Sequence, residues 1–230
     1  LSYEKISLTP EIDFKLWQKF LKSSAPYSVL TVICLIYFRI DFILLTYLRG
    51  ETETGFYGAA YRFLDAVQFI PIAVSTAAFP VFAKLHQSSV KDLKNLYLKT
   101  ISIMAPVGLL LSLSLFLAAN FLINIIYGQN YLSSVLALKI LSPAIFFQFI
   151  HIPGAHLLFA TEKFLKQVLI LSILTVSFNL IANLIFIPLY GFAAAAFITL
   201  ISEILSFLVF FSFIWFVVFK VNAKSKSCYS

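Results

Sequence analysis

The chain has 230 residues, of which 61% are apolar and 12% charged, with a formal net charge of +7. Soluble domains average about 45–50% apolar and about 25% charged residues, so a soluble globule is excluded, as are disordered and collagen-like chains. Long unbroken apolar runs such as Leu109 to Phe116 also exclude a transmembrane β-barrel, whose strands alternate polar and apolar residues. A spanning helix needs about 20 mostly apolar residues. The expected fold class is therefore all-α, a polytopic membrane protein with six transmembrane helices.

In chain order, residues 1–24 form a lead-in. Thr9-Pro10-Glu11 is a helix-start signal, and Phe14, Trp17 and Leu21 share a face opposite Lys15, Lys19 and Lys22. That pattern predicts an amphipathic helix on the inner leaflet. A six-span bundle is expected over 25–219. Breaks at charges, glycines and prolines place its spans at about 25–47, 58–83, 101–126, 131–160, 165–187 and 192–219, before a basic tail at 220–230. The outer loops come out at about ten, four and four residues on the same breaks. The chain begins at Leu1 and carries no signal-peptide pattern, from which further sequence upstream is expected.

Positive charge sets the orientation. Thirteen of the 17 Lys and Arg residues fall in segments on the N-terminal side: Lys5, Lys15, Lys19, Lys22, Lys84, Lys91, Lys94, Lys99, Lys163, Lys166, Lys220, Lys224 and Lys226. The opposite side and the span interiors share Arg39, Arg49, Arg62 and Lys139. Both termini are expected in the cytoplasm, with the protein in the cytoplasmic membrane. Topology thus accounts for the basic balance, and no nucleic-acid partner is implied.

Ionisable groups inside a membrane are costly and point to function. Arg39 and Asp41 fall inside the first span, Arg62 and Asp65 inside the second. At about 1.5 Å per residue, Asp41 and Arg39 lie about 9 and 12 Å inside the outer end of their span, Arg62 and Asp65 about 6 and 10 Å inside theirs. Cross-hairpin pairs Arg39–Asp65 and Asp41–Arg62 are therefore at compatible depths, and a mixed-charge cluster in the outer half of a polar cavity is expected. Two readings stay open. Arg39 and Arg62 could hold an anion while the carboxylates couple an ion, or the four could form ion bridges that fix the hairpin. Glu203, about 17 Å into the last span, is either an ion-coupling carboxylate or a hydrogen-bonded packing residue.

Signals for other chemistry are sparse. His151 and His156 are five residues apart, about 140° on a helix, which is poor geometry for a shared metal. Lys139 is near enough to the outer surface to snorkel. Cys34 and Cys228 make neither a disulfide framework nor a metal site. Pro71, Pro80, Pro106, Pro143 and Pro153 lie in or at the ends of spans, which is tolerated where protein or a cavity satisfies the freed carbonyls. No phosphate loop, metalloprotease motif or nucleophile elbow is present. A non-enzyme without cofactor or metal is expected.

Several segments carry a resemblance. Gly55-Phe56-Tyr57-Gly58-Ala59-Ala60-Tyr61-Arg62-Phe63-Leu64, followed by Phe69-Ile70-Pro71 and Phe79-Pro80-Val81, resembles the G-x-Y-x-A-A-Y-R pattern of Wzx-type polysaccharide and O-antigen repeat-unit flippases. These belong to the multidrug/oligosaccharidyl-lipid/polysaccharide exporter superfamily. Ile126 to Tyr131, Ala137 to Leu141, Ile187 to Gly191, and Ile201-Ser202-Glu203 agree in order, and Arg39-x-Asp41 resembles the family's R-x-D. The resemblance covers about Asp13 to Phe219. It implies the C-terminal bundle of a twelve-helix exporter, helices seven to twelve, around a central cavity. Its implied partners are a missing N-terminal six-helix bundle, membrane lipids, polysaccharide assembly enzymes and a lipid-linked (undecaprenyl-diphosphate) oligosaccharide, moved by alternating access with ion-gradient coupling. Arg62 then matches a cavity arginine and Asp65 its acidic neighbour. A multidrug or cation exporter of the same superfamily, or a membrane-embedded glycan-modifying transferase, remains as an alternative.

Overall fold

A computed structural model describes residues 13–161 and 164–221. Among them the chain is helical throughout and has no strand. Helix α1 covers Phe14–Arg49, α2 Glu51–Ser88, α3 Val90–Tyr127 and α4 Ser134–Ala160, with one turn of 3₁₀-helix at Gln129–Tyr131. The run Leu165–Phe213 is broken at Gly191 (φ 59°, ψ −140°), giving α5 (165–190) and α6 (192–213). A short π-helical turn, Ile214–Val221, follows α6.

The last two helices form a hairpin. In a straight helix Asn179 and Ser202 would be about 35 Å apart, yet Asn179 Nδ2 donates to Ser202 Oγ at 3.1 Å. Four helical runs are long and apolar enough to cross a membrane: Glu51–Ser88, Val90–Tyr127, Ser134–Ala160 and the folded 55-residue run Leu165–Phe219. Helix α4 is the central element, packed on α2, α3 and the α5–α6 hairpin, while α1 lies against that hairpin and α2.

The boundaries differ from the expected ones in two places. The predicted ten-residue outer loop between the first two spans is a single residue, Gly50, because α1 and α2 both continue up to it. Thr54 Oγ1 donates to the Gly50 carbonyl at 2.9 Å, and Glu51 and Glu53 sit in the first turn of α2, where acids favour the positive end of the helix. At the other end, the predicted interfacial helix is continuous with the first span. Asp13 caps α1, its Oδ1 accepting from the Lys15 and Leu16 N–H groups. Phe14, Trp17 and Leu21 are exposed along α1. Thr9-Pro10-Glu11, Cys228, the tail beyond 221 and the Cys34 side chain lie outside the described residues.

All three outer turns use a positive-φ glycine, at Gly50, Gly128 and Gly191, a backbone region essentially closed to side-chain-bearing residues. The inner connection between α2 and α3 needs none: Ser89 caps α3, its Oγ accepting from Asp92 N–H at 3.2 Å. Helices α2 and α3 are 38 residues each, about 57 Å, so their hairpin extends well beyond a hydrocarbon layer of about 30 Å on the lysine-rich side. Pro71, Pro80, Pro106, Pro143 and Pro153 sit within helices that continue through them.

Two apolar cores stack along the bundle. The outer one gathers Leu45, Tyr57, Ala60, Leu64, Ile123, Leu138 and Ile187. The inner one gathers Phe82, Leu93, Tyr97, Leu157, Val168 and Val218. Small residues (Ala60, Ala119, Ala137, Ala144, Ala195 and Ala196) are fully buried in the outer core, letting backbones approach as membrane helix packing requires.

Candidate functional site

The four hairpin charges separate. Asp41 is buried at 3% exposure, whereas Arg39 and Arg62 are exposed and Asp65 is half-buried. The expected ion pairs Arg39–Asp65 and Asp41–Arg62 do not form: among the described residues Arg49 pairs with Glu53, and His151 Nδ1 lies 3.3 Å from Glu203 Oε2, an ion pair only when the imidazole is protonated. Asp65 accepts instead from Gln68 Nε2 at 3.1 Å, with both arginines close enough to act on it electrostatically. Helical rotation explains the split. Residues 39 and 41 are about 200° apart around α1, so an Asp41 turned to the core leaves Arg39 facing outward. There the Arg39 guanidinium lies 5.7 Å from the Phe42 ring centre.

Asp41 is held by three donors from three helices. The hydroxyls of Tyr57 on α2 and Thr199 on α6 donate to its Oδ2 at 3.0 and 2.9 Å. Asn183 Nδ2 on α5 donates to its Oδ1 at 2.7 Å. Polar contacts continue inward, from Asn183 to Asn179 Oδ1 at 3.0 Å and from Asn179 to Ser202. Beside Ser202, Glu203 is 3% exposed; its Oε1 accepts from Gln148 Nε2 at 3.2 Å and its Oε2 is 3.3 Å from His151 Nδ1. A cavity of about 240 Å³ adjoins this group, lined by Gln68, Gln148, His151, His156, Thr175 and Glu203 among others.

A buried carboxylate with three donors is stabilised, since each charge-assisted hydrogen bond contributes about 1.5–3 kcal/mol. It is also able to exchange those donors for a proton or a small cation. The two exposed arginines can do something different. Arg39 and Arg62 lie about 17 and 18 Å along their helices from Gly50, at one depth on neighbouring helices, and guanidinium groups suit planar recognition of phosphate.

The other faces are apolar. Leu110, Leu113, Leu117, Phe121 and Ile125 of α3, and Ile173, Leu174, Ile181 and Ile185 of α5, are exposed and fit a hydrocarbon surround. The α1–α2 face alone among these carries exposed arginines. Lys139 lies 5.8 Å from the Phe116 ring centre, a cation–π contact. The two histidines take different partners: His156 Nδ1 is 3.0 Å from the Ile152 carbonyl, and His151 meets Glu203.

Sequence reasoning singled out the acids but missed Asn179, Asn183, Thr199 and Gln148 as their partners. A signal was present. Ser172, Thr175, Asn179 and Asn183 on α5, and Thr199, Ser202, Glu203 and Ser206 on α6, recur at helical spacing and form two polar stripes that face each other. Glu53 was missed as well: its Oε2 accepts from Phe192 N–H at 2.9 Å while its Oε1 pairs with Arg49 at 3.0 Å, tying the first outer turn to the last.

This bundle has the fold of one part of a transporter of the multidrug/oligosaccharidyl-lipid/polysaccharide exporter superfamily. It superimposes with a TM-score of 0.67 on a superfamily transporter from Pyrococcus furiosus, 17% identical, over 86% of this chain and 44% of that one. An outward-facing multidrug-resistance MATE transporter gives a TM-score of 0.67, with 18% identity, over 84% and 44% of the respective chains. Residues 1–136 match the polysaccharide biosynthesis protein family, and the chain belongs to that family. It is also 27% identical over 183 residues to an uncharacterized membrane protein of Methanocaldococcus jannaschii, covering 77% of this chain and 34% of the relative. The chain thus spans less than half the length of these relatives.

Proposed function

We propose that the bundle forms one wall of a membrane cavity through which a lipid-linked oligosaccharide passes during surface polysaccharide synthesis. Arg39 and Arg62 would hold the diphosphate while the sugar chain follows a wet polar path and the polyprenyl tail stays in lipid. The observation that carries this reading is the placement of those two arginines, at one depth and outward on the α1–α2 face, while α3 and α5 present hydrocarbon. A charged headgroup crossing the bilayer needs fixed opposite charge, and lipid-facing arginine without such a partner is costly. A second six-helix bundle facing the arginines would complete the cavity, and alternating access would follow from rocking of the two bundles.

Asp41 is the coupling group in this scheme. An ion arriving from the gradient would displace its donors from Tyr57, Thr199 and Asn183, which belong to three different helices, and so shift their packing. Lysine placement supports a cytoplasmic membrane location with both termini inside. The drug or cation exporter reading calls for acids on the cavity face, whereas here the exposed Arg39 and Arg62 stand beside the half-buried Asp65.

The test is glycan export by cells carrying the full-length protein with Arg62→Ala or Arg39→Ala. A lost charge-assisted phosphate contact of about 1.5–3 kcal/mol predicts a fall of about tenfold or more, with Arg62→Lys only partly restoring it. Export unchanged in both alanine variants, at equal protein level, would remove the arginines from the mechanism. Asp41→Asn is expected to leave substrate binding in place and abolish the dependence of transport on an ion gradient.

A further inference from the structure

The inner cavity carries a second titratable group that the arginine face and Asp41 do not use. Glu203 on α6 is buried, yet it lines the cavity together with His151 and His156 of α4 and Gln68 of α2. Its Oε2 lies 3.3 Å from His151 Nδ1 but out of line for a hydrogen bond, so a turn of the imidazole is what brings the two to share a proton. Gln148 Nε2 holds the other oxygen at 3.2 Å, which fixes the carboxylate plane. A cavity of about 240 Å³ has room for several waters at about 30 Å³ each. We propose that Glu203 and His151 form a proton-binding site loaded from this cavity and separate from the Asp41 centre.

Geometry dictates the step. With Glu203 ionised, His151 holds its proton on Nδ1 and, once the ring has turned, donates it to Oε2. A hydronium ion reaching the cavity then gives its proton to the bare Nε2 and is left as water, and the Nδ1 proton moves to Oε2. One N–H bond breaks at Nδ1 as one O–H bond forms on Glu203. The net result is uptake of a single proton, a neutral carboxylic acid, and a neutral imidazole of the opposite tautomer. His156 belongs to the delivery side. Its Nδ1 faces the Ile152 carbonyl at 3.0 Å, and a carbonyl can only accept, so Nδ1 carries the proton and Nε2 is left as an acceptor.

The groups around Glu203 suit this role. Helix α4 supplies His151, Gln148 and His156; α1 and α2 supply Asp41 and Tyr61, both close enough to interact with it electrostatically; α5 supplies uncharged Ser172, Thr175 and Asn179. Among the described residues no lysine or arginine lines the cavity. The site belongs to this chain's own residues and is independent of what the arginine face carries.

The experiment is magnetic resonance of ¹⁵N-histidine-labelled protein in lipid vesicles, combined with infrared spectra over an acid titration. The chain has three histidines, so loss of a signal in H86Q and in H156Q assigns the third to His151. On acidification His151 is expected to change from the Nδ1–H to the Nε2–H tautomer, together with a new carboxylic-acid carbonyl band. Both changes should vanish in Glu203→Gln. A His151 tautomer that stays fixed throughout the range in which the protein remains folded, or a band that persists in Glu203→Gln, overturns the proposal. If Glu203→Gln does not fold, His151→Asn reads the pair from the other side. A carbonyl band at the same position and midpoint as in the unaltered protein then overturns it.

Discussion

Gly191 and Glu53 show how much can rest on one residue. At Gly191 a Cβ would collide with the Glu53 carboxylate, and φ is +59°, whereas a Cβ at Gly50, with φ +89°, meets nothing within 4 Å. Both positions incur the backbone cost of about 1–3 kcal/mol that alanine carries in this region. Only Gly191→Ala also displaces the carboxylate that caps α6. Gly191→Ala is therefore expected to lower the thermal unfolding midpoint more than Gly50→Ala, measured in detergent. Asp41 gives a second residue-scale test. With alanine there the Tyr57 and Thr199 hydroxyls still have each other and the Ala195 carbonyl, and Asn183 Nδ2 keeps Asn179, so the loss is about 1–3 kcal/mol for the one amide proton left unsatisfied. The same assay should show Asp41→Ala less stable than Asp41→Asn.

At the scale of elements, α4 is held by close approach. A Cβ at Gly108 of α3 would lie 2.6 Å from Phe149 Cβ, the rigid root of a side chain at the α3–α4 contact. At Gly58 of α2 the nearest atom is Phe42 Cε1 at 3.3 Å, the far end of a ring that can turn. Overpacking of a fixed contact costs about 1–3 kcal/mol, so Gly108→Ala is expected to destabilise the bundle and Gly58→Ala to change it little. Differential scanning fluorimetry of the two variants decides this. The α5–α6 hairpin is joined differently, by facing polar stripes, where each interhelical hydrogen bond contributes about 0.6 kcal/mol and at most about 1.7. Those bonds set which faces meet. The apolar cores on either side supply most of the cohesion.

For the whole molecule, orientation is the property that every functional reading needs. The inner connection at Ser89 lies between Lys84 and Lys91, while Gln129 lies in the turn next to Gly128 on the opposite side. With the two native cysteines replaced, Gln129→Cys should react with a membrane-impermeant maleimide on intact cells. Ser89→Cys should react only after permeabilisation. The reverse pattern would contradict the lysine rule for this chain, and with it the side from which cargo and ions enter.

Composition and hydropathy alone determined that this chain is a helical membrane protein, about where its helices fall, and that Asp41 and Glu203 are set in apolar surroundings. These are local properties, because a hydrocarbon solvent imposes helix on every span and lists its exceptions as charges. Partnership is different. Arg39 and Asp65 are at compatible depths along their helices, yet helical rotation and packing sent Asp41 into the bundle and both arginines out of it. That outcome depends on which helices adjoin α1, and spacing within one helix does not encode its neighbours. Gly50 illustrates the same limit: Glu51 to Glu53 read as loop by polarity, but a single positive-φ glycine sufficed for the turn and left Glu53 to cap α6 and pair with Arg49. The polar stripes of α5 and α6 were legible as pattern. Only the tertiary structure decided that they face each other and meet Asp41, Gln148 and His151, because a buried polar group takes its partner from whichever helix the packing brings beside it.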